Sequence, residues 1–463
     1  YALLGHLVPG QLIGRKVELS HLVQYIGFDP SAVFGTPLKV GATIVILFVF
    51  MGKLLFAAGG GAFFTDLALA ATGRMRGGSA KISVMASALF GAIEAIASTG
   101  GQIMPPIMGA AAFLIAEFLE VPYVDVMVAA LIPAALYYIS LFLQVDLVAA
   151  RDGIAMVDQD VPRAGRILAG GWQFSLPLVV LLYALFWKGE DAQMAALYAI
   201  VAIAIVGMVK PYGVPRLGWR DILRTLAETG LATMELILIV AAAGFVIGIL
   251  NITGLGFALT LVLVKMAGNE ILVILLVAAV ICIILGMGMP TSGVYVLLAA
   301  LVAPALVEAG AEPMAAHLFI LYFGMMSMIT PPIALAAFAA AALTQAGAMR
   351  TGFAAVRFGW IAYLIPFLFI FNSALLMTGT VGPIVWATVK ALVGIYLVTI
   401  AIVGFYRRRL GALPRVAFAL AGLAALLSLG KLPQAETFGP VALAFGALLI
   451  AVMLVTTRRA PAA

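Results

Sequence analysis

Charge is scarce in this chain: 20 acidic and 26 basic residues make up 10% of its 463 positions, against 65% hydrophobic, and mean hydropathy is +1.19. A water-soluble core of this length cannot hide so much apolar surface. The chain reads as an integral membrane protein, with room for on the order of a dozen segments of roughly 20 apolar residues. Strand-like alternation is missing, which excludes a β-barrel. Cysteine is nearly absent: Cys282 alone, in an apolar run, excludes an internal disulfide framework and a cysteine-rich metal site. Enzymatic signatures are lacking too, with no Gly-rich phosphate loop, no His-Glu-x-x-His and no Gly-x-Ser-x-Gly elbow. An ATP-driven pump is thereby excluded, and the net charge of +6 is assigned to cytoplasmic loops rather than to nucleic-acid binding.

What is present is a succession of apolar segments from about 40–58 to about 439–456, several too short to cross a bilayer alone. Residues 1–38 mix charged and apolar side chains and suit an interfacial lead-in, and the start at Tyr1 suggests an upstream part. Basic clusters at Arg74 to Lys81, Arg151 to Arg166, Lys210 to Arg224, Arg350 with Arg357, Arg407 to Arg415, and Arg458 with Arg459 are placed on the cytoplasmic side. Glu190 with Asp191, Glu308 with Glu312, and Lys431 with Glu436 fall in the opposite connections. Residues 150–170 and 211–230 are basic and amphipathic, and are expected to form surface helices on the cytoplasmic face.

Two stretches resemble each other. Ser98 to Phe113 and Met326 to Phe338 each carry Pro-Pro-Ile followed by small residues and a Phe, with the prolines at Pro105, Pro106, Pro331 and Pro332. Paired prolines remove amide donors and push the preceding residue out of helical geometry, leaving carbonyls at a hairpin tip. Ahead of the second copy stands Gly286-Met-Gly-Met-Pro-Thr-Ser292, where Gly286, Gly288 and Pro290 break a helix and Thr291 and Ser292 add hydroxyls. Matched breaks of this kind point to a secondary-transporter binding site, where unwound carbonyls hold cations and helix N-termini hold anions. The copies are unequal: Gly286 precedes Pro331 by 45 positions, whereas Gly91 precedes Pro105 by 14. About 31 residues, one helix and its turn, are expected to belong between Gly91 and Glu94 of the complete polypeptide.

At these residues the chain resembles the large membrane subunit of the TRAP transporters, and more closely the fused permeases served by TAXI-type solute-binding proteins. Phe34-Gly-Thr-Pro-Leu38, Gly59-Gly-Gly-Ala-Phe-Phe-Thr-Asp66, Ala86-Ser-Ala-Leu-Phe-Gly91, Glu94 to Pro106, Leu285-Gly-Met-Gly-Met-Pro-Thr291, Ala315-Ala-His-Leu-Phe319, Thr330-Pro-Pro332 and Pro366-Phe-Leu-Phe369 carry the likeness. It implies an all-α polytopic membrane protein, an inverted-repeat elevator-type transporter with two re-entrant helical hairpins and a scaffold. The expected divisions are a lead-in and scaffold over 1–81, a first-repeat hairpin over 82–122, scaffold over 123–230, a second-repeat transport region over 231–350 and scaffold spans over 351–463.

The implied activity is secondary import of organic-acid anions, carboxylates of a dicarboxylate-like kind, across a bacterial or archaeal inner membrane. Small-subunit-like helices fused upstream, a periplasmic TAXI-type protein and the lipid bilayer would be its partners. No organic cofactor is implied, only a coupling ion, Na⁺ or H⁺. Carried over by position, the ion site would use Gly286, Gly288, Thr291, Ser327, Met328 and Thr330 from the second repeat, and Thr99, Gly100 and Met104 from the first. Ser98, Gly101, Pro105, Pro106, Pro290, Ser292, Pro331 and Pro332 would form the tips that meet substrate.

Glu94, Glu235 and His317 lie in apolar surroundings and are candidates for proton coupling, set against a packing role for each. Glu117, near Glu120, is expected to snorkel to water, and Asp66 and Lys81 to make a fold contact. Every arginine falls at or near a segment end, so substrate anions would be held by amides, hydroxyls and a bound cation. A channel, a membrane-embedded enzyme and a carboxylate or ion transporter without a binding protein are the competing readings.

Overall fold

The structure is a computed structural model that describes residues 1–8, 10, 13–72, 99–153, 163–266, 270–428 and 435–458. It is helical throughout, apart from a two-residue antiparallel pairing of Phe405–Tyr406 with Arg408–Arg409. Seven helices among the described residues are long and apolar enough to span: Thr36–Ala57, Tyr123–Asp152, Ala164–Phe186, Ala192–Val209, Trp219–Thr253, Ala348–Phe371 and Val381–Val403. Shorter apolar helices, Ile271–Gly286, Thr291–Leu301, Pro313–Met326 and Ala412–Leu427 among them, stand between or after these. The polytopic all-α architecture expected from composition is the one observed.

The two amphipathic stretches behave differently from expectation. Residues 219–230 are not a separate surface helix but the first turns of Trp219–Thr253, which runs unbroken for 35 residues. Its glycines 230, 244 and 248 have helical neighbours on both sides, and no proline interrupts it. Glycine alone costs only ~1 kcal/mol in a helix interior, too little to stop one that packing supports. Likewise Ala164 to Gly171 continue through a 3₁₀ turn at Trp172–Phe174 into the apolar Ser175–Phe186 helix. Residues 154–162 lie outside the described residues.

The helices fall into two compact units: Tyr1–Ala71, Pro106–Met127 and Val161–Met325 form one, and Thr72–Pro105, Val128–Asp160 and Met326–Ala463 the other. In the first, Trp219–Thr253 packs on Thr36–Ala57 and on Thr291–Leu301. Small residues allow the approach: a methyl added at Gly41 would stand 3.0 Å from Val240 Cγ2, and one at Gly293 2.8 Å from Ile239 Cγ2. Phe113 stacks on Tyr123 (4.4 Å between ring centres) and meets Phe48 at 4.5 Å. In the second unit, Val381–Val403 and Ala412–Leu427 lie back to back at Gly394 and Gly422, where side chains larger than hydrogen would strike the facing backbone.

Candidate functional site

Both Pro-Pro-Ile tips belong to the second unit as far as Pro105 in the first copy and from Met326 in the second. In the first, Thr99 is buried and Gly101–Ile103 form a single 3₁₀ turn before Met104 turns extended (φ −90°, ψ 114°). Gly100 sits against the buried ring of Tyr137, and Gly101 faces the Tyr138 hydroxyl at a distance that leaves room for a methyl. In the second, Met326 ends its helix and its carbonyl accepts from the Ile329 and Thr330 amides and from Thr330 Oγ1 (2.6 Å). The Met328 carbonyl accepts from Ala336 N (2.9 Å), and Ala334 takes a left-handed conformation (φ 36°) before the Leu335–Thr344 helix starts. Thr330 Oγ1 is also 2.6 Å from Tyr363 Oη, which fixes the tip to the Ala348–Phe371 helix.

The tips meet. Gln102 Nε2 reaches Met328 Sδ at 4.0 Å across 226 positions of sequence, so the two tips touch at these side chains. Their hairpin carbonyls are partly engaged by amides. A carbonyl oxygen has two acceptor directions, and cation coordination by such groups is compatible with one amide bond each.

The Gly286 break belongs to the first unit. Ile271–Gly286 ends, Met287 is extended, Gly288 takes φ 85° with open space around it, and Pro290 precedes the new helix Thr291–Leu301. Thr291 and Ser292, at that helix's start, are buried. The positive φ explains a glycine at 288: an L side chain there would be strained. Among the candidate proton-linked residues, His317 is buried with Nδ1 2.6 Å from the buried Tyr295 hydroxyl, and Glu235 is exposed on its helix. Glu94, Ser98, Lys81 and the interval after Gly91 lie outside the described residues.

Some polar partners were not foreseen from sequence. Glu117 does not simply reach water but pairs with Lys39 (2.8 Å). That pair borders a cavity of about 950 Å³ in the first unit, whose rim also carries Glu120, Asp125, Glu190 and Asp191. Asp66 accepts from Tyr212 Oη (2.9 Å), a contact within the fold; burial and the Asp66 carboxylate push the Tyr212 hydroxyl up from its ordinary pKa. Gln102 and Tyr363 were missed at the tips: a lone Gln and a lone Tyr in apolar sequence carry no periodic signal. Among the described residues no three His, Cys, Asp or Glu side chains converge on a metal-sized site.

The family model described as "Tripartite ATP-independent periplasmic transporter, DctM component" matches residues 20–94 and 91–384. The two matched stretches overlap at 91–94, where the first sequence repeat is short. No curated protein matches the chain.

Proposed function

The chain belongs to the DctM component family of the tripartite ATP-independent periplasmic transporters, and on that premise we propose that it imports organic-acid anions by coupling them to a sodium or proton gradient. A DctM component is a multi-pass membrane part of a secondary transporter, not an enzyme, and it works with a periplasmic binding protein. The finer reading is a TAXI-type binding protein, fused small-subunit-like helices upstream, a dicarboxylate-like solute and a bacterial or archaeal inner membrane. In it the transport region moves as an elevator carrying anion and coupling ion together.

The observation that carries this reading is the convergence of the two Pro-Pro-Ile tips at Gln102 and Met328, the arrangement an inverted-repeat carrier needs around one solute. Thr99, Gly100, Met104, Ser327, Met328 and Thr330 supply hydroxyl and carbonyl oxygens there, hard neutral ligands suited to sodium. Within the first unit, the break at Gly286, Gly288 and Thr291 carries ligands of the same type. The family resemblance assigns contact with the anion to Ser98, Gly101, Pro105, Pro106, Pro290, Ser292, Pro331 and Pro332.

The test is uptake of labelled succinate, 2-oxoglutarate and glutamate into proteoliposomes, with sodium and proton gradients imposed separately, with and without the cognate binding protein. Uptake that needs both the binding protein and one gradient is expected and names the ion. Uptake without the binding protein overturns its role, and turnover without any gradient overturns secondary transport. The unequal repeats belong to the same reading: Gly286 precedes Pro331 by 45 positions and Gly91 precedes Pro105 by 14, and we infer from this that about 31 further residues belong between Gly91 and Glu94 of the complete polypeptide. An intact mass near 48.3 kDa would refute that.

A further inference from the structure

A helix ends with carbonyls that have no partner inside it, and at the end of Val381–Val403 three arginines from three other places take them. Arg415 donates through Nε to the Ala401 carbonyl (2.9 Å) and through Nη2 to Ile402 (3.3 Å). Arg357 Nη2 donates to the same Ile402 oxygen (2.9 Å), and Arg151 Nη1 to Val403 (3.2 Å). Gly404, left-handed at φ 71°, closes the set by donating its amide to Ile400 (2.8 Å). The negative end of the helix attracts these cations. It also gathers like charges, since two guanidiniums share one carbonyl oxygen.

The chain then turns through Phe405–Arg409, adding Arg407 at the corner (φ 55°) with Arg408 and Arg409, all three exposed. Six arginines thus crowd one end of this unit. Among the described residues Asp152, paired with Arg151 (2.8 Å), and Asp146, on the rim of a groove of about 440 Å³ beside Tyr406 and Arg407, are the carboxylates near them. The excess is positive and faces outward at a helix end.

Apolar side chains stand exposed right beside it. Leu413 is 82% exposed, and Val416 and Leu420 follow it at helical spacing on the outer face of Ala412–Leu427. Phe353, one turn before Arg357, is 63% exposed. A soluble anion has use only for the cations, whereas a phospholipid uses both features at once, a phosphate against guanidinium and acyl chains along the neighbouring apolar helix face. The geometry points to this arginine crown as a binding site for the phosphate headgroup of an anionic phospholipid in the cytoplasmic leaflet. Arg151 and Arg357 lie within the residues that the family model matches, but Arg407, Arg408, Arg409 and Arg415 lie beyond them, so the crown is completed by this chain's C-terminal segment. It does not depend on which solute is transported.

The full chain, purified in detergent, is tested by native mass spectrometry with added phosphatidylglycerol or phosphatidylcholine, and by thermal stability with each lipid or with inorganic phosphate. Retention and stabilisation by phosphatidylglycerol alone are expected. Arg407→Ala with Arg409→Ala spares every carbonyl contact described above, and should weaken phosphatidylglycerol retention by roughly thirtyfold, at about fivefold per arginine near an anionic lipid. Equal retention of the two lipids overturns the proposal, as does an unaffected double variant. Stabilisation by inorganic phosphate as strong as by phosphatidylglycerol assigns the crown to a soluble anion instead. Should the double variant fold poorly, the lipid preference of the unaltered chain still decides.

Discussion

Adjacent glycines at the first-repeat tip should tolerate a methyl group very differently. Gly100 and Gly101 both lie in helix-like backbone, so neither needs glycine for its dihedral angles; Gly100 has φ −62° and ψ −21°. A methyl at 100 would stand 2.3 Å from Tyr137 Cε1, 3.0 Å from Cδ1 and 3.1 Å from Cζ. Carbon atoms rest at about 3.5–4.0 Å, so ring or tip must retreat by more than ~1 Å. Tyr137 is 1% exposed and packs edge-on against Tyr138, which leaves it nowhere to go. Overpacking of this kind costs about 1–3 kcal/mol. At 101 the nearest atom is Tyr138 Oη at 4.0 Å, and alanine in helical backbone is favoured over glycine by up to ~1 kcal/mol. Thermal denaturation in detergent should therefore show Gly100→Ala melting a few degrees below the parent and Gly101→Ala no lower than it. Tyr137→Leu should recover part of the loss when combined with Gly100→Ala. Equal midpoints for the two alanine variants, or a double variant that recovers nothing, would refute the close packing of this tip against Tyr137.

Thr330→Val removes the hydroxyl that bonds both Met326 and Tyr363, at a cost of about 1–2 kcal/mol; with Tyr363→Phe it should show a coupling of ~1 kcal/mol in a double-mutant cycle of stability, and strict additivity would count against the bond. Gly422→Val drives a side chain into Val398 Cγ2 (2.7 Å) and the Gly394 carbonyl (2.8 Å), so the melting midpoint should fall by an amount matching about 2 kcal/mol or more, and a parent-like midpoint would refute the backbone contact. Cys282, the sole cysteine and fully buried, should resist maleimide in the folded protein and label fully in SDS; fast labelling of folded protein would contradict the packing of Ile271–Gly286.

Local features were legible in the sequence, and long-range polar pairing was not. The span at 192–209 was readable to the residue because a run without charge, apolar save for Gln193, lies between Asp191 and Lys210. The break at Gly286–Pro290 was readable because glycine and proline act on their own backbone, wherever the rest of the chain goes. Residues 211–230 misled because an amphipathic pattern describes which face meets water and not where a helix ends. Thr225, Thr229 and Thr233, each donating its hydroxyl to a carbonyl four residues earlier or less, run straight through the expected boundary. Lys39 with Glu117 lies 78 positions apart and Gln102 with Met328 lies 226 apart. Neither spacing has a period, so one sequence alone gives no reason to pair them.

The placement of the arginines bears on how an anion could be carried at all. Arg151, Arg357 and Arg415 spend donors on the carbonyls of a helix end, and Arg224 lies beside Glu228 on the exposed start of its helix. The polar contacts described at the tips, Thr330 with Met326 and Tyr363 and Gln102 with Met328, involve neutral groups. A carboxylate brought to those tips would meet hydroxyls, amides and carbonyls, and the carbonyls would repel it. An unpaired charge in so apolar a setting is costly, and neutral donors offset only part of that cost. A cation seated on the same carbonyls reverses the sign of the local field and supplies the missing attraction, which makes each ion's binding conditional on the other's. On the proposed function, obligatory coupling would follow from the chemistry of the tips without an added gate. Tight substrate binding to the transporter in the absence of both sodium and a protonatable partner would break this chain of reasoning at its first step.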